Sequence, residues 1–130
     1  MSMNDPLAAG LSKLMNAARA GKTQVEVSSA SKFMERVIEI LKTHDYVVDY
    51  TVEDDPRGRR MTISLSGEIN EVGPIKPRFA VTTEEFEKFE KRYLPARDFG
   101  FLIVSTSKGL MTHLDAKQLG VGGRLIAYCY

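Results

Sequence analysis

A glycine- and proline-containing stretch, Gly67 to Pro77, is the feature that most limits how this chain folds. Its Gly73-Pro74 and Lys76-Pro77 steps interrupt helix and central-strand patterns alike, because proline lacks an N–H and fixes φ. The stretch reads as a joint between two halves: residues 1–67, a connecting segment 68–77 and residues 78–130. With 130 residues the chain suffices for one ordinary domain or two small halves packed together, and it buries about two-thirds of its unfolded surface without metals or disulfides.

In the first half, Asp5-Pro6 opens a helical pattern, with Asp5 as N-cap and Leu7, Leu11, Leu14, Met15 and Ala18 on one face before Gly21. Thr23 to Val27 alternates like a strand. The Ser28–Ser31 cluster then caps a second helix that turns Phe33, Val37, Ile40 and Leu41 inward and ends near His44. Tyr46, Val48, Tyr50 and Val52, a turn at Asp54–Gly58, and Met61, Ile63 and Leu65 make an antiparallel hairpin. The order is α-β-α-β-β.

Past the joint, Phe79 to Val81 is a short strand, and Thr82 with Glu85 makes a capping-box signature for a helix carrying Phe86, Phe89 and Tyr93 inward until Pro95. The acids Glu84, Glu85, Glu87 and Glu90 read as its solvated face. Phe99–Val104 and Arg124–Tyr130 are apolar runs of strand length, separated by a polar segment with a short helix near Asp115–Leu119. The fold class is α+β, an N-terminal α-β-α-β-β subdomain packed beside a mainly β C-terminal one.

Composition narrows the function. Hydrophobic residues are 43% and charged residues 27%, the balance of an ordinary globular domain. Cys129 has no disulfide partner in the chain, and with only His44 and His113 beside it there is no material for a closed zinc site, so neither metal nor cofactor is expected and a reducing cytoplasm is. No apolar run nears the roughly 20 residues of a membrane span, and Met1 to Pro6 lacks the regions of a secretory signal. Net charge is +1, but residues 91–130 carry Lys91, Arg92, Arg97, Lys108, Lys117 and Arg124 against Asp98 and Asp115 alone. The C-terminal end is the one able to face an anion.

Within it, Ser105-Thr106-Ser107-Lys108-Gly109 follows a buried strand into a turn. Small hydroxyl side chains donate and accept, which suits ribose hydroxyls, phosphates and base edges; the same residues also satisfy ordinary turn backbone. Gly120-Val121-Gly122-Gly123 precedes the last strand and permits a tight turn or a close backbone approach. It is no dinucleotide fingerprint, and the chain has no Walker loop. Ser105 or Ser107 with His113 and Asp115 supplies the residue types of a small hydrolase, without a Gly-x-Ser-x-Gly elbow. Arg57, Arg59 and Arg60 at the hairpin turn, and Lys32 with Arg36 on the second helix, are further cations for phosphate, flanked by Asp54, Asp55 and Glu35.

The run Ser105 to His113, with Ala116-Lys117, Leu119 to Gly123 and the final apolar strand, resembles the family of the eighth small-subunit ribosomal protein. Asp5-Pro6-Leu7-Ala8, Asn16-Ala17, Ala30-Ser31-Lys32 and Tyr93 to Gly100 extend the likeness over nearly the whole chain. Leu94 to Gly100 and the Ala127-Tyr128-Cys129-Tyr130 ending are similar to the archaeal and eukaryotic branch, and the short length favours archaeal. The resemblance implies a non-catalytic protein, without small-molecule substrate or membrane partner, that binds the central domain of small-subunit rRNA and helps assemble the platform among neighbouring small-subunit ribosomal proteins. It also implies feedback on translation through an RNA helix in its own mRNA.

Carried over by residue, the resemblance places Ser105, Thr106 and Ser107 on bases and riboses, Lys108 on phosphate, and Gly122 and Gly123 at a turn that brings the last strand close to RNA. Asp5, Asn16 and Lys32 match positions on a second RNA segment. Arg57, Arg59 and Arg124 complete the second rank; Arg124 stands where bacterial members usually have an acid, so no contact of that side chain carries over. The alternatives are the Ser/His hydrolase and a protein adaptor using Phe86, Phe89 and Tyr93 as an exposed face.

Overall fold

A computed structural model describes residues 6–28, 31–56, 58–96 and 99–130. The expected cap Asp5, part of the Ser28–Ser31 cluster, and Arg57, Arg97 and Asp98 lie outside the described residues. The described chain divides into two compact units, residues 1–70 and 71–130. It contains four α-helices and two antiparallel sheets, an α+β architecture. Among the described residues no helix is long and apolar enough to cross a membrane.

The first unit runs α1 (Pro6–Arg19), β1 (Gln24–Ser28), α2 (Lys32–Thr43), β2 (Val47–Asp55) and β3 (Gly58–Leu65). Its sheet has the order β1-β3-β2, so the last strand is central. Leu7, Leu11, Leu14 and Met15 of α1 are buried, as are Val27, Met61, Ile63 and Leu65 of the strands. Ser31 caps α2 by accepting the Met34 N–H at 3.1 Å.

Two expectations shift here. The buried face of α2 is Met34, Val37, Ile38 and Leu41, while Phe33 and Ile40 are only half-buried. Both stripes have helical spacing; the sequence alone does not distinguish adjacent ones, and packing selects the stripe containing Met34. In β2 the register shifts between Val47 and Asp49, a bulge that turns Val47 into the core and leaves Val48 60% exposed. An extra residue reverses the inside–outside alternation locally, so Val48 does not share the half-buried face of Tyr50 and Val52.

The second unit comprises β4 (Val72–Pro74), β5 (Ala80–Val81), a 3₁₀ turn (Thr83–Glu85), α3 (Phe86–Tyr93), β6 (Phe101–Thr106), β7 (Gly109–Thr112), α4 (His113–Leu119) and β8 (Gly123–Cys129). Strand β4 lies inside the segment expected to connect the halves. Proline is tolerated there because β4 is an edge, paired only to β8 through Val72–Cys129, Gly73–Tyr128 and Pro74–Ala127. The sheet follows β4-β8-β6-β7, and β5 also pairs with β8.

Helix α3 inserts Phe86 and Phe89 into a cluster with Ile75, Val81, Leu94, Leu102, Val104, Ala116 and Leu125. Tyr93, half-buried, packs against the same cluster, so Phe86 and Phe89 are core, and the three rings present no exposed adaptor face. The expected capping box is present: the Thr82 N–H donates to Glu85 Oε1 at 2.9 Å. Strand β6 starts at Phe101; Phe99, expected inside it, lies outside the sheet and is 48% exposed.

Candidate nucleic-acid interface

Strands β6 and β7 form a hairpin whose ladder runs from Ile103–Thr112 to Thr106–Gly109, leaving Ser107 and Lys108 as a two-residue turn. The Thr106 hydroxyl fixes that turn twice. It donates to the Gly109 carbonyl at 2.8 Å and accepts from the Lys108 N–H at 3.0 Å. Both hydrogen-bonding roles of the hydroxyl are thereby used, so the turn reading holds for this side chain, and Thr106 serves the neighbouring residues through the shape it imposes. Thr106→Val should lower stability by about 1–2 kcal/mol, read in urea melts, because it leaves a part-buried carbonyl and the turn N–H without that partner.

Ser105 and Ser107 differ from it. Ser107 is exposed and Ser105 half-buried, and among the described residues neither hydroxyl has a protein hydrogen-bond partner. Lys108 is exposed beside them. The Ser107 hydroxyl and the Lys108 ammonium on a pinned turn, with the Ser105 hydroxyl on the strand leading into it, offer donors and acceptors that need no rearrangement before meeting a ligand.

The sheet joins this hairpin to the segment before β8. Ser105 pairs with Arg124, and Thr106 with Gly123. On the far side of β8, Ala80 pairs with Arg124 and Val81 with Gly123. Because directly opposed residues share a face, Ala80, Arg124, Ser105 and Leu110 form one row across four strands. Of the first-rank candidates, Ser105–Lys108 and Gly122–Gly123 therefore come together, with Arg124 exposed among them. Ala80 and Leu110 belong to this row but carry no chemical signal in the sequence; only strand pairing finds them.

The two glycines have a structural reason of their own. A Cβ at Gly123 would lie 2.2 Å from the Ser105 carbonyl oxygen, and one at Gly122 2.4 Å from that of Val81. Their close backbone approach is made first of all to strands β6 and β5.

The other second-rank candidates belong to the first unit. Asn16 is exposed on α1, in a groove against β1 that Lys13 and Lys22 also line, and Lys32 is exposed as the first residue of α2. Arg59 is engaged with Glu35 Oε2 at 3.2 Å and Asp54 Oδ1 at 3.4 Å. It belongs to the ion-pair network that its acidic neighbours suggested. Asp5 and Arg57 are outside the described residues.

His113 is 2% exposed and spends both ring nitrogens inside the protein. Nδ1 accepts the Leu102 N–H at 3.0 Å, which places the proton on Nε2, and Nε2 donates to Glu90 Oε1 at 2.6 Å. Lys117 Nζ meets the same oxygen at 2.8 Å. Burial pushes the imidazole below its ordinary value, outweighing the attraction of Glu90. Burial opposes ionisation of Glu90 too, yet Lys117 and His113 hold it below the usual carboxylate range.

Two expectations are settled by this cluster. Glu90, half-buried, leaves the fully solvated acidic face to pair with His113 and Lys117; its place one turn after Phe86, on the rim of the apolar stripe, was the only sequence signal. His113 has no lone pair left to activate Ser105 or Ser107, so the hydrolase reading loses its base. Cys129 is buried as well, and desolvation pushes its thiol up to about 12, which leaves no nucleophile there.

The family model described as ribosomal protein S8 matches residues 5–130. The chain belongs to the ribosomal protein S8 family. Ribosomal protein S8 is a structural, non-enzymatic component of the small ribosomal subunit that binds rRNA, and its work belongs to translation.

Proposed function

We propose that this chain binds the central domain of small-subunit rRNA through the row built from Ser105 to Lys108 and Gly122 to Arg124, and that binding helps assemble the platform of the subunit. The observation that carries the proposal is the register Ser105–Arg124 and Thr106–Gly123, which gathers two sequence-distant motifs around two unpartnered hydroxyls. Ser105 and Ser107 read base edges and riboses, Lys108 and Arg124 neutralise phosphate, and Thr106, Gly122 and Gly123 hold the backbone that presents them. The exposed Asn16 and Lys32, with Asp5, form the second rank for another RNA segment, and Arg57 and Arg59 at the β2–β3 turn are further cations for phosphate, Arg59 already paired with Glu35 and Asp54.

Two finer readings go with this one. The Leu94–Gly100 and Ala127–Tyr130 sequences support the archaeal and eukaryotic branch, archaeal in particular. An RNA helix in the chain's own mRNA that imitates the ribosomal site would let excess protein reduce its own synthesis. Neighbouring small-subunit ribosomal proteins are its expected protein partners.

The test is competition at physiological salt between a central-domain rRNA fragment and unrelated duplex RNA. Selective binding is expected, with a shallow salt dependence: the row offers two cations, so log affinity should fall against log salt with a slope of about −2. Equal, weak binding to both RNAs overturns the proposal. A slope steeper than about −6 transfers recognition from the hydroxyls to a phosphate-dominated contact elsewhere.

A further inference from the structure

Buried imidazole His113 takes no part in chemistry, and its position relative to the hairpin explains why it is there. The β6–β7 ladder ends at Ile103–Thr112, after which the chain leaves the sheet to begin α4. Leu102, one residue beyond that last pair, faces Tyr128 of β8 and presents its N–H on the side β7 has vacated. A buried N–H without an acceptor is costly. Nδ1 of His113 supplies the acceptor at 3.0 Å, in the place a further β7 carbonyl would have occupied. The ring is held in turn by Glu90 on α3, itself fixed by Lys117 on α4, and by the edge-on contact with Phe86 of α3.

We propose that His113 is the positioning residue of the RNA-binding hairpin, its ring replacing the missing β7 acceptor opposite Leu102 and so fixing where β7 leaves β6. The proposal rests on the RNA-binding reading of Ser105 to Lys108. In a hairpin with a two-residue turn, the exit point at one end and the turn at the other specify a single register. If β7 slips, Ser107 and Lys108 are no longer the turn, and Leu110 leaves the row opposite Ser105 while the Ser105–Arg124 pair stays. At the turn the Thr106 hydroxyl does the same work from the opposite end.

Three variants of the full chain test this. His113→Leu keeps an apolar body but removes the acceptor. His113→Asn restores an acceptor close to the position of Nδ1, whereas His113→Gln reaches toward Glu90 and leaves Leu102 unserved. The readouts are affinity for the central-domain rRNA fragment, measured well below each variant's melting temperature, and amide exchange at Leu102 and from Ser105 to Leu110 in the free protein. Expected are a loss of affinity of about tenfold for Leu and Gln, recovery of most of it by Asn, and faster exchange confined to the hairpin in the two weak binders.

Equal affinities for Leu, Gln and Asn, or wild-type affinity in Leu, overturn the proposal and leave His113 a core residue. Should Leu fail to fold, the Asn–Gln pair decides alone. Should the wild-type protein fail to select the rRNA fragment, the RNA reading is lost, while the exchange pattern still judges the register pin by itself.

Discussion

Replacing Ser105 and Ser107 together with alanine should weaken binding to the central-domain rRNA fragment about thirtyfold or more, while the protein stays as stable as wild type within about 0.5 kcal/mol. Each hydroxyl removed from a dry interface leaves a polar RNA group unsatisfied, at about 1–3 kcal/mol apiece. Among the described residues neither hydroxyl has a partner within the protein, so the fold loses nothing comparable. Titration by fluorescence anisotropy alongside urea melts separates the two quantities. Unchanged affinity removes the hydroxyls from the site, and a fall in stability assigns them to the turn instead. Thr106→Val makes the contrasting control, because its hydroxyl already closes two bonds within the turn.

Gly123→Ala should have the larger effect on folding. The new Cβ would stand 2.2 Å from the Ser105 carbonyl oxygen, with the Ser105 carbonyl carbon at 2.9 Å, and both are strand backbone that no rotamer change moves aside. Strands β8 and β6 must separate at their joint, at a cost of about 3 kcal/mol, and RNA affinity should fall with stability because Thr106–Gly123 and Ser105–Arg124 lie at that joint. A circular-dichroism melt checks the first part and the RNA titration the second. If Gly123 served RNA approach alone, alanine would reduce affinity and leave the melt unchanged. Gly109 is the comparison within the same hairpin: its φ is +112°, yet open space surrounds it, so alanine there strains the backbone without displacing a neighbouring strand.

What the sequence revealed follows from the range over which each signal acts. Most element types and their order were legible because periodicity is local: Leu7, Leu11 and Leu14 on α1 and Met61, Ile63 and Leu65 on β3 are buried as their spacing requires, whereas the short strands β4 and β7, too brief to show a period, were missed in the connecting segment and the polar stretch. The motif Ser105–Gly109 was legible for the same reason. Unreadable were the choices made between elements. Whether Phe33 or Met34 faces inward depends on what α2 meets. The bulge at Val47–Asp49 depends on pairing with β3, and the pairing of Glu90 on a histidine more than twenty residues away. The paired glycines announced a close approach without naming the strands approached, and no property of Thr106 alone separates it from Ser105 and Ser107. Only the turn geometry assigns its hydroxyl inward.

Strand β8 is the latest element in chain order, yet it sits between β4 and β5 on one side and β6 on the other. The two units therefore mature on different schedules as the chain leaves the ribosome that makes it. Every strand and helix of the first is available once residue 65 has emerged, and it can close its core early. The β6–β7 hairpin can form locally, but the row proposed to meet RNA needs Gly123 and Arg124 to arrive. On the proposed RNA reading, a nascent chain that has not reached β8 lacks half of this row, so capture of RNA there waits for Gly123 and Arg124 to emerge.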